Sequence, residues 1–192
     1  MKAASIFFSL YVICLVLFSA CTKEQTSTPT PLTRVQVLSV PFSTRGSHTF
    51  FSFKDSTAVT VADSATAKWD FAIRFARIIV NSQSSGPGNA GVIMQDGIFN
   101  SITSAPLTGY SYDTTSNSLA IKDGSWYDYN PRTHAFIPKA GKVFIFRTAN
   151  GVNYAKMQLL AVDYAPFTGP VPTTLLYKFE YTYQPGSGNS FQ

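Results

Sequence analysis

The sequence predicts a single all-β domain, a sandwich-like antiparallel fold made of many short strands with extended hairpins. Short segments of alternating or continuous apolar residues recur along the chain, and turn-forming residues separate them. No segment keeps an amphipathic helical pattern for more than about three turns. The composition of the 192-residue chain agrees, because 16 Phe and 10 Tyr accompany only 13% charged residues, as is usual in β-rich exported proteins.

Residues 1–20 predict a secretory signal peptide. Lys2 precedes an apolar run over residues 6–18, which is too short to make a good membrane span. Small residues lie directly before Cys21, an arrangement that resembles a bacterial lipoprotein signal, in which this cysteine becomes the acylated first residue. Phe18 stands where such signals usually have Leu, and an ordinary signal peptide with an incidental cysteine is the alternative.

The remaining boundaries follow from cysteine usage and composition. Cys14 would leave with the signal peptide and Cys21 would carry lipid, so the mature domain would contain no disulfide and no cysteine nucleophile. Residues 21–33 are polar with two prolines and predict a disordered tether. Residues 34–184 would form the all-β domain, and residues 185–192 a loose tail.

The stretch Trp69–Gly91 is the densest structural signal. Before it, strands are expected near Val35, Val37 and Val40, over 48–53, and over 58–61 after a turn at 54–56. Alternation from Trp69 to Phe75 predicts a strand with one buried face, although Trp69, Ile73 and Ala76 also share a helical face. Beyond Ala76 the alternation slips, which predicts a β-bulge near Arg77, and a Ser/Gly-rich loop follows.

Turn residues divide the second half of the chain into further strands. Residues 91–102 predict a short strand with a turn at Asp96-Gly97, and residues 110–112 and 119–121 flank a polar hairpin turn. The expected later strands are 126–129 and 134–137 around an Asn-Pro-Arg-Thr turn, 142–148 covered on both faces, 154–164 with a bulge at Leu160, and 175–183 with clean alternation. Asn150-Gly151 predicts a two-residue type I′ turn.

Composition and motifs argue against several functions. The net charge of +5 comes from dispersed Lys and Arg residues, which gives nucleic-acid binding little support. The chain has two histidines, no GxSxG motif and only scattered acidic residues. GPGNAG lacks the features of a phosphate loop. We therefore predict that the protein is not an enzyme.

The two histidines and two of the methionines each have a structural interpretation, and for His134 and Met94 a functional one is the alternative. His48 is interpreted as a sheet residue with one satisfied nitrogen. His134 either bonds the backbone of the neighbouring turn or, as an exposed imidazole, reaches a metal or haem iron. Met94 is interpreted as core packing, with iron ligation as the alternative, whereas Met157 is expected in the core.

Three stretches resemble the HmuY-like haem-binding lipoproteins found on the surface of certain Gram-negative bacteria. They are Trp69–Arg74 leading into the loop that ends at Gly91, Phe146–Gly151 followed by Tyr154–Gln158, and Phe179–Tyr183. His48–Phe53 is also similar to an early aromatic strand of that family. Together these stretches span most of the mature domain.

The resemblance implies an all-β protein that is lipid-anchored at the outer membrane. It implies capture of haem between extended hairpins and delivery to an outer-membrane transporter, with axial ligands and an apolar slot supplied by the protein. His134 and Met94 are the axial ligand candidates. The sequence departs from the family in having no His or Met between Tyr110 and Ser125, which leaves single-ligand, non-axial or lost haem binding open.

Two other interpretations remain at the level of sequence. One is a surface binding module for another ligand, such as a different tetrapyrrole, a glycan or a protein partner, because exposed aromatic side chains on hairpins can stack on ring faces. The other is a structural lipoprotein that binds no small ligand.

Overall fold

The computed structural model describes residues 29–192, in which strands and two short 3₁₀ helices follow one another. The strands are β1 (Leu32–Pro41), β2 (Thr49–Ser52), β3 (Thr57–Val59), β4 (Phe71–Arg74), β5 (Arg77–Val80), β6 (Gly91–Asp96), β7 (Tyr127–Asn130), β8 (Ala135–Pro138), β9 (Lys142–Arg147), β10 (Tyr154–Tyr164) and β11 (Thr174–Gln184). The 3₁₀ helices are Val61–Asp63 and Phe99–Ser101. The predicted signal peptide, Cys21 and most of the predicted tether lie outside the described residues.

Two antiparallel sheets face each other across an aromatic core. The larger sheet has the order β1-β11-β10-β9-β6, the smaller one β3-β2-β4-β5, and β7 pairs with β8 in a separate hairpin. Between the sheets, Phe51 packs edge-on against Phe179 with ring centroids 5.2 Å apart, and Phe53 packs against Phe146 at 5.0 Å. The predicted all-β, sandwich-like antiparallel fold is confirmed.

The long strands of the larger sheet match their sequence patterns. In β11 the side chains of Leu175, Tyr177, Phe179 and Tyr181 are buried on the core face, as the alternation predicted. The register between β10 and β11 shifts between Leu159 and Ala161, which confirms the predicted bulge. Residues 143–146 of β9 are buried on both faces. Phe144 and Phe146 belong to the core between the sheets, and Val143 and Ile145 pack in a second cluster with Phe99 and Phe191.

The prediction of one strand with a bulge near Arg77 is wrong. The chain reverses at Phe75-Ala76, so that Arg74 pairs with Arg77 and the segment forms the β4–β5 hairpin. Phe75 adopts a positive φ of 54°, unusual for a bulky residue, and its ring packs against Phe42 at 5.2 Å and Phe136 at 5.1 Å. This packing stabilises a turn that contains no Gly, Asn or Pro, the residues that usually indicate a turn in a sequence.

Two other predicted turns differ from the structure. Arg147 pairs with Tyr154, so β9 and β10 are joined by a six-residue loop and not by a two-residue type I′ turn at Asn150-Gly151. Oδ1 of Asn150 accepts the backbone N–H groups of Val152 and Asn153 and organises this longer loop. Residues 110–121 form only isolated bridges, one between Ser111 and Val92 and one between Thr115 and Ser118.

Both ends of the described chain are better ordered than the sequence predicted. β1 begins at Leu32, inside the predicted tether, and turns Leu38 and Val40 toward the core. The predicted loose tail is docked, because the backbone N–H of Phe191 donates to the carbonyl of Thr103 at 2.8 Å and the Phe191 side chain is buried. No helix within residues 29–192 has the length and apolarity that a membrane crossing requires.

Candidate functional site

The outer face of the smaller sheet carries a second, minor apolar cluster. Phe50, Ala72 and Ile79 alternate with the core-facing residues of β2, β4 and β5, and Trp69 joins them just before β4. The Trp69 ring packs against Phe50 with centroids 4.9 Å apart, and its Nε1–H donates to the Ser64 carbonyl. This face therefore needs a cover, which the loop after β5 supplies.

The loop between β5 and β6 is held over Trp69 by the side chain of Asn81. Its amide nitrogen donates to the carbonyls of Thr66 and Trp69 at 2.9 and 2.7 Å, and its oxygen accepts the N–H of Gly88 at 2.8 Å. Gly86 lies so close that an added Cβ would stand 2.2 Å from Asn81 Oδ1 and 2.7 Å from Trp69 Cζ2. Glycine at this position is thus a requirement of close packing.

Beside this cover lies a cavity of about 630 Å³, which we call the His48 cavity. Its walls are the ends of β2, β4 and β5, the covering loop and one residue from the segment before β7. The lining includes His48, Phe50, Arg74, Arg77, Ile79, Gln83, Ser84, Ser85 and Ser116. Cationic, hydroxyl and apolar groups thus face one cavity that is open to solvent.

The lining of the His48 cavity carries two arginines and no carboxylate. Burial raises the pKa of the nearby Asp113 carboxyl, and the field of Arg77 opposes this rise. Arg74 and Arg77 stand directly opposite each other in the β4–β5 register, where like charges repel. The Arg74 guanidinium donates to the carbonyl of Gly46 at 3.0 Å, and that of Arg77 donates to the carbonyl of Ser116. The ion pairs found within residues 29–192 involve Lys68, Lys139 and Lys142 and include neither arginine.

His48 is electrostatically coupled to the two arginines. Burial, followed by the charges of Arg74 and Arg77, lowers the pKa of His48 to about 4, so the ring is neutral at pH 7. Its Nε2 is buried and has no hydrogen-bond partner. The predicted role of His48, a sheet residue with one satisfied nitrogen, does not explain why Nε2 is buried without a partner. His48 also lies just before β2 and not within it.

A second cavity, of about 400 Å³, opens at the base of the β7–β8 hairpin. We call it the hairpin-base cavity. It is lined by Ala76, Arg77, Ile78, residues 116–119, Ile121, Lys122, Asp123 and Trp126. Trp126 is buried, and its Nε1–H has no partner. The lining of the cavity holds two cations, Arg77 and Lys122, against one carboxylate, Asp123, together with apolar side chains, and this composition suits an organic anion.

His134 lies at the opposite end of the same hairpin, in the turn that joins β7 to β8. It has a φ of 55° and an exposed side chain, and its Nδ1 is 2.6 Å from the hydroxyl of Tyr129. The hydroxyl of Tyr164 donates to the His134 carbonyl at 2.7 Å and ties the turn to β10. The side chain thus bonds Tyr129 and not the turn backbone, and its Nε2 is left at the surface.

Met94 and Met157 have different surroundings. Met157 is fully buried in the core. Met94 is half-buried in β6, opposite Phe144, where it packs against the core and its sulfur lies 3.9 Å from the hydroxyl of Ser125. The position of Met94 favours the packing interpretation, and the structure does not join Met94 to His134 in either cavity described above.

The structure offers haem iron one exposed imidazole, that of His134, as a candidate ligand. A histidine that ligates iron commonly donates its other N–H to a neighbouring acceptor, and the Tyr129 oxygen is in position to accept from Nδ1 of His134. Cys21, the predicted lipid attachment site, lies outside the described residues. Residues 29–192 contain no group of three or more His, Cys, Asp or Glu side chains arranged to hold a metal ion.

Comparison with known proteins adds no further assignment. No protein-family model matches the chain, and no curated protein matches it with significant similarity.

Sequence patterns missed the His48 cavity for a physical reason. Arg74 and Arg77 are three positions apart, and a single continuous strand would place them on opposite faces. The reversal at Phe75-Ala76 brings both to the outer face, next to His48. The available signal was the shift of alternation after Ala76, which also fits a hairpin.

Proposed function

We propose that the protein is an outer-membrane-anchored lipoprotein that binds haem at the cell surface and passes it to an outer-membrane transporter. The observation that carries this proposal is the exposed imidazole of His134, held through Nδ1 by the hydroxyl of Tyr129. The resemblance to HmuY-like proteins in three stretches supports it. The proposed activity is capture and transfer without catalysis.

The hairpin turn positions the imidazole for ligation. When Nδ1 is protonated and donates to the Tyr129 oxygen, Nε2 keeps its lone pair. Nε2 lies on the side of the imidazole ring away from Tyr129. Bound haem supplies an iron with an open axial position that accepts such a nitrogen. The half-exposed ring of Tyr129, packed against Phe136 at 5.3 Å, offers an apolar face beside it.

A second candidate is a metal-free tetrapyrrole or another anionic ring ligand. The hairpin-base cavity favours it, since Arg77 and Lys122 can bind carboxylates and Trp126 offers an unpaired N–H, while no His or Met lines this space. The four residues of β7 and three turn residues separate Trp126 from His134, and β7 alone spans roughly 13 Å at the usual rise of a strand. Ring binding and iron ligation are therefore separable on this hairpin.

Titration of the purified mature chain with haemin tests the proposal. We expect a red-shifted, sharpened Soret band that is lost in His134→Ala and weakened about tenfold in Tyr129→Phe, because the orienting hydrogen bond is removed. His48→Gln is the matched control, since it changes the chain's other histidine.

A parallel titration with metal-free protoporphyrin separates the two candidates. Haemin binding that His134→Ala leaves unchanged contradicts the axial assignment. Equal affinity for haemin and metal-free protoporphyrin supports the second candidate. If neither ring binds, both candidate functions are contradicted.

A further inference from the structure

We propose that the His48 cavity is a second binding site, which takes a small organic phosphate monoester of the sugar-phosphate class. This site lies over the outer face of the smaller sheet, away from the β7–β8 turn that carries His134. The proposal does not depend on haem binding.

The first reason is the pair of arginines, neither of which forms an ion pair within residues 29–192. Arg74 and Arg77 face each other across the hairpin and repel, an arrangement that weakens the fold unless an anion lies between them. Loop carbonyls orient each guanidinium and leave its remaining N–H groups free to bind an oxyanion. A phosphate monoester carries about −1.5 to −2 charges at pH 7 and thus matches two cations better than a single carboxylate does.

The second reason is the neutral ligands that surround the arginines. Ser84, Ser85, Ser116 and Gln83 line the cavity. The Ser84 hydroxyl already donates to the Asp113 carbonyl at 2.8 Å, so it offers a ligand its oxygen as an acceptor. Hydroxyl and amide groups of this kind bond both phosphate oxygens and the hydroxyl groups of a sugar.

The third reason is size and the nature of the floor. A volume of about 630 Å³ falls in the range of pockets for small organic ligands and exceeds the needs of inorganic phosphate. Phe50 and Ile79 supply an apolar floor on which the faces of a sugar ring can rest. The cavity therefore favours a phosphate joined to a compact ring with hydroxyl groups.

The two histidines make the site directly observable. The chain contains only His48 and His134, so a ¹³C-labelled mature chain has two ring Cε1–H signals in its NMR spectrum. We expect glucose 1-phosphate to shift the His48 signal at pH 7, because a bound dianion cancels the field of the adjacent arginines. The His134 signal should not move, whereas haemin should perturb His134 and leave His48 unchanged.

Matched probes and variants define the outcome. Glucose should produce no shift, and inorganic phosphate should bind at least tenfold more weakly than glucose 1-phosphate. Arg74→Gln and Arg77→Gln should each weaken binding on the order of tenfold, since each removes charge-assisted hydrogen bonds. Arg34→Gln makes the same change of charge on exposed β1 of the other sheet and should bind as the wild type does.

The proposal is overturned if glucose 1-phosphate leaves the His48 signal in place, or if glucose or inorganic phosphate shifts it with equal affinity. Retention of binding in both Arg74→Gln and Arg77→Gln would overturn it too. The three probes on the wild-type chain decide the matter even if an arginine variant fails to fold. Loss of haemin binding alone has no bearing on this site.

Discussion

Asp70 is a buried carboxylate that connects the two large sheets. It accepts the backbone N–H of Phe53, just after β2, and that of Ala149, in the loop between β9 and β10, each at 2.8 Å. Burial raises the pKa of Asp70 to about 6, against the opposing effect of these two hydrogen bonds. None of the ion pairs within residues 29–192 includes Asp70. The two hydrogen bonds to the Asp70 carboxylate have favourable lengths, yet they compensate its negative charge only in part.

We expect Asp70→Asn to gain stability relative to the wild type as the pH rises. Because the folded pKa is raised, the folded chain holds a proton that the unfolded chain releases between about pH 4 and pH 6, so the Asp70 contribution to stability falls across this window. The difference in free energy of unfolding should move by roughly 3 kcal/mol toward the variant between pH 4 and pH 7.

Urea denaturation of both proteins at several pH values measures this difference. The comparison with wild type is needed because His48, whose pKa is lowered to about 4, acts with the opposite sign over nearly the same window. A difference that does not vary with pH would show that the Asp70 carboxyl titrates at its ordinary value.

At the scale of the elements, the loop between β5 and β6 approaches Asn81 and Trp69 very closely at Gly86. We expect Gly86→Ala to lower the free energy of unfolding by about 1–3 kcal/mol, since the new Cβ would overlap Asn81 and Trp69. Gly169→Ala is the control, because nothing lies within 4 Å of a Cβ built there, and it should leave stability almost unchanged. Thermal unfolding of the two variants makes the comparison, and equal effects would contradict the proposed packing.

Elements whose form is set locally could be predicted from sequence, and those set by distant contacts could not. Alternation in β11 and the bulge in β10 follow from side-chain period alone. The hairpin at Phe75-Ala76 depends on Phe42 and Phe136, which are remote in sequence. Among the site residues, His134 could be found because a recognisable turn flanks it, whereas the grouping of His48 with two arginines requires the pairing of three strands.

The docked tail shows the same limit. Lys156 is buried on β10, where its ammonium donates to the carbonyls of Phe99 and Ile102 at 2.8 Å and lies 4.4 Å from the Phe99 ring centroid. The ring of Phe191 is also close to this ammonium, at 5.5 Å. The sequence shows Lys156 only as one residue of an alternating strand. It does not indicate that this lysine is buried or that it contacts the C-terminal residues.

At the scale of the whole molecule, the predicted lipid anchor would hold both cavities near a membrane surface. We expect Cys21→Ala to release the protein from the membrane fraction, because the acylated residue would be lost. Cys14→Ala, within the predicted signal peptide, should leave retention unchanged. Membrane fractionation of cells expressing each variant provides the measurement, and equal retention of Cys21→Ala and wild type would contradict the anchor.

The pairing of β1 with β11 has a consequence for when the protein can fold. Leu32 pairs with Tyr183, so the first strand of the domain finds its place only against the last one, and β11 also separates β1 from β10. Contacts between such remote residues close slowly, typically in milliseconds to seconds for β-sandwiches. A growing chain therefore cannot complete its larger sheet until residues 174–184 of β11 have been synthesised. If residues 1–20 act as the signal peptide that their sequence predicts, this delay would keep the chain unfolded while it crosses the membrane.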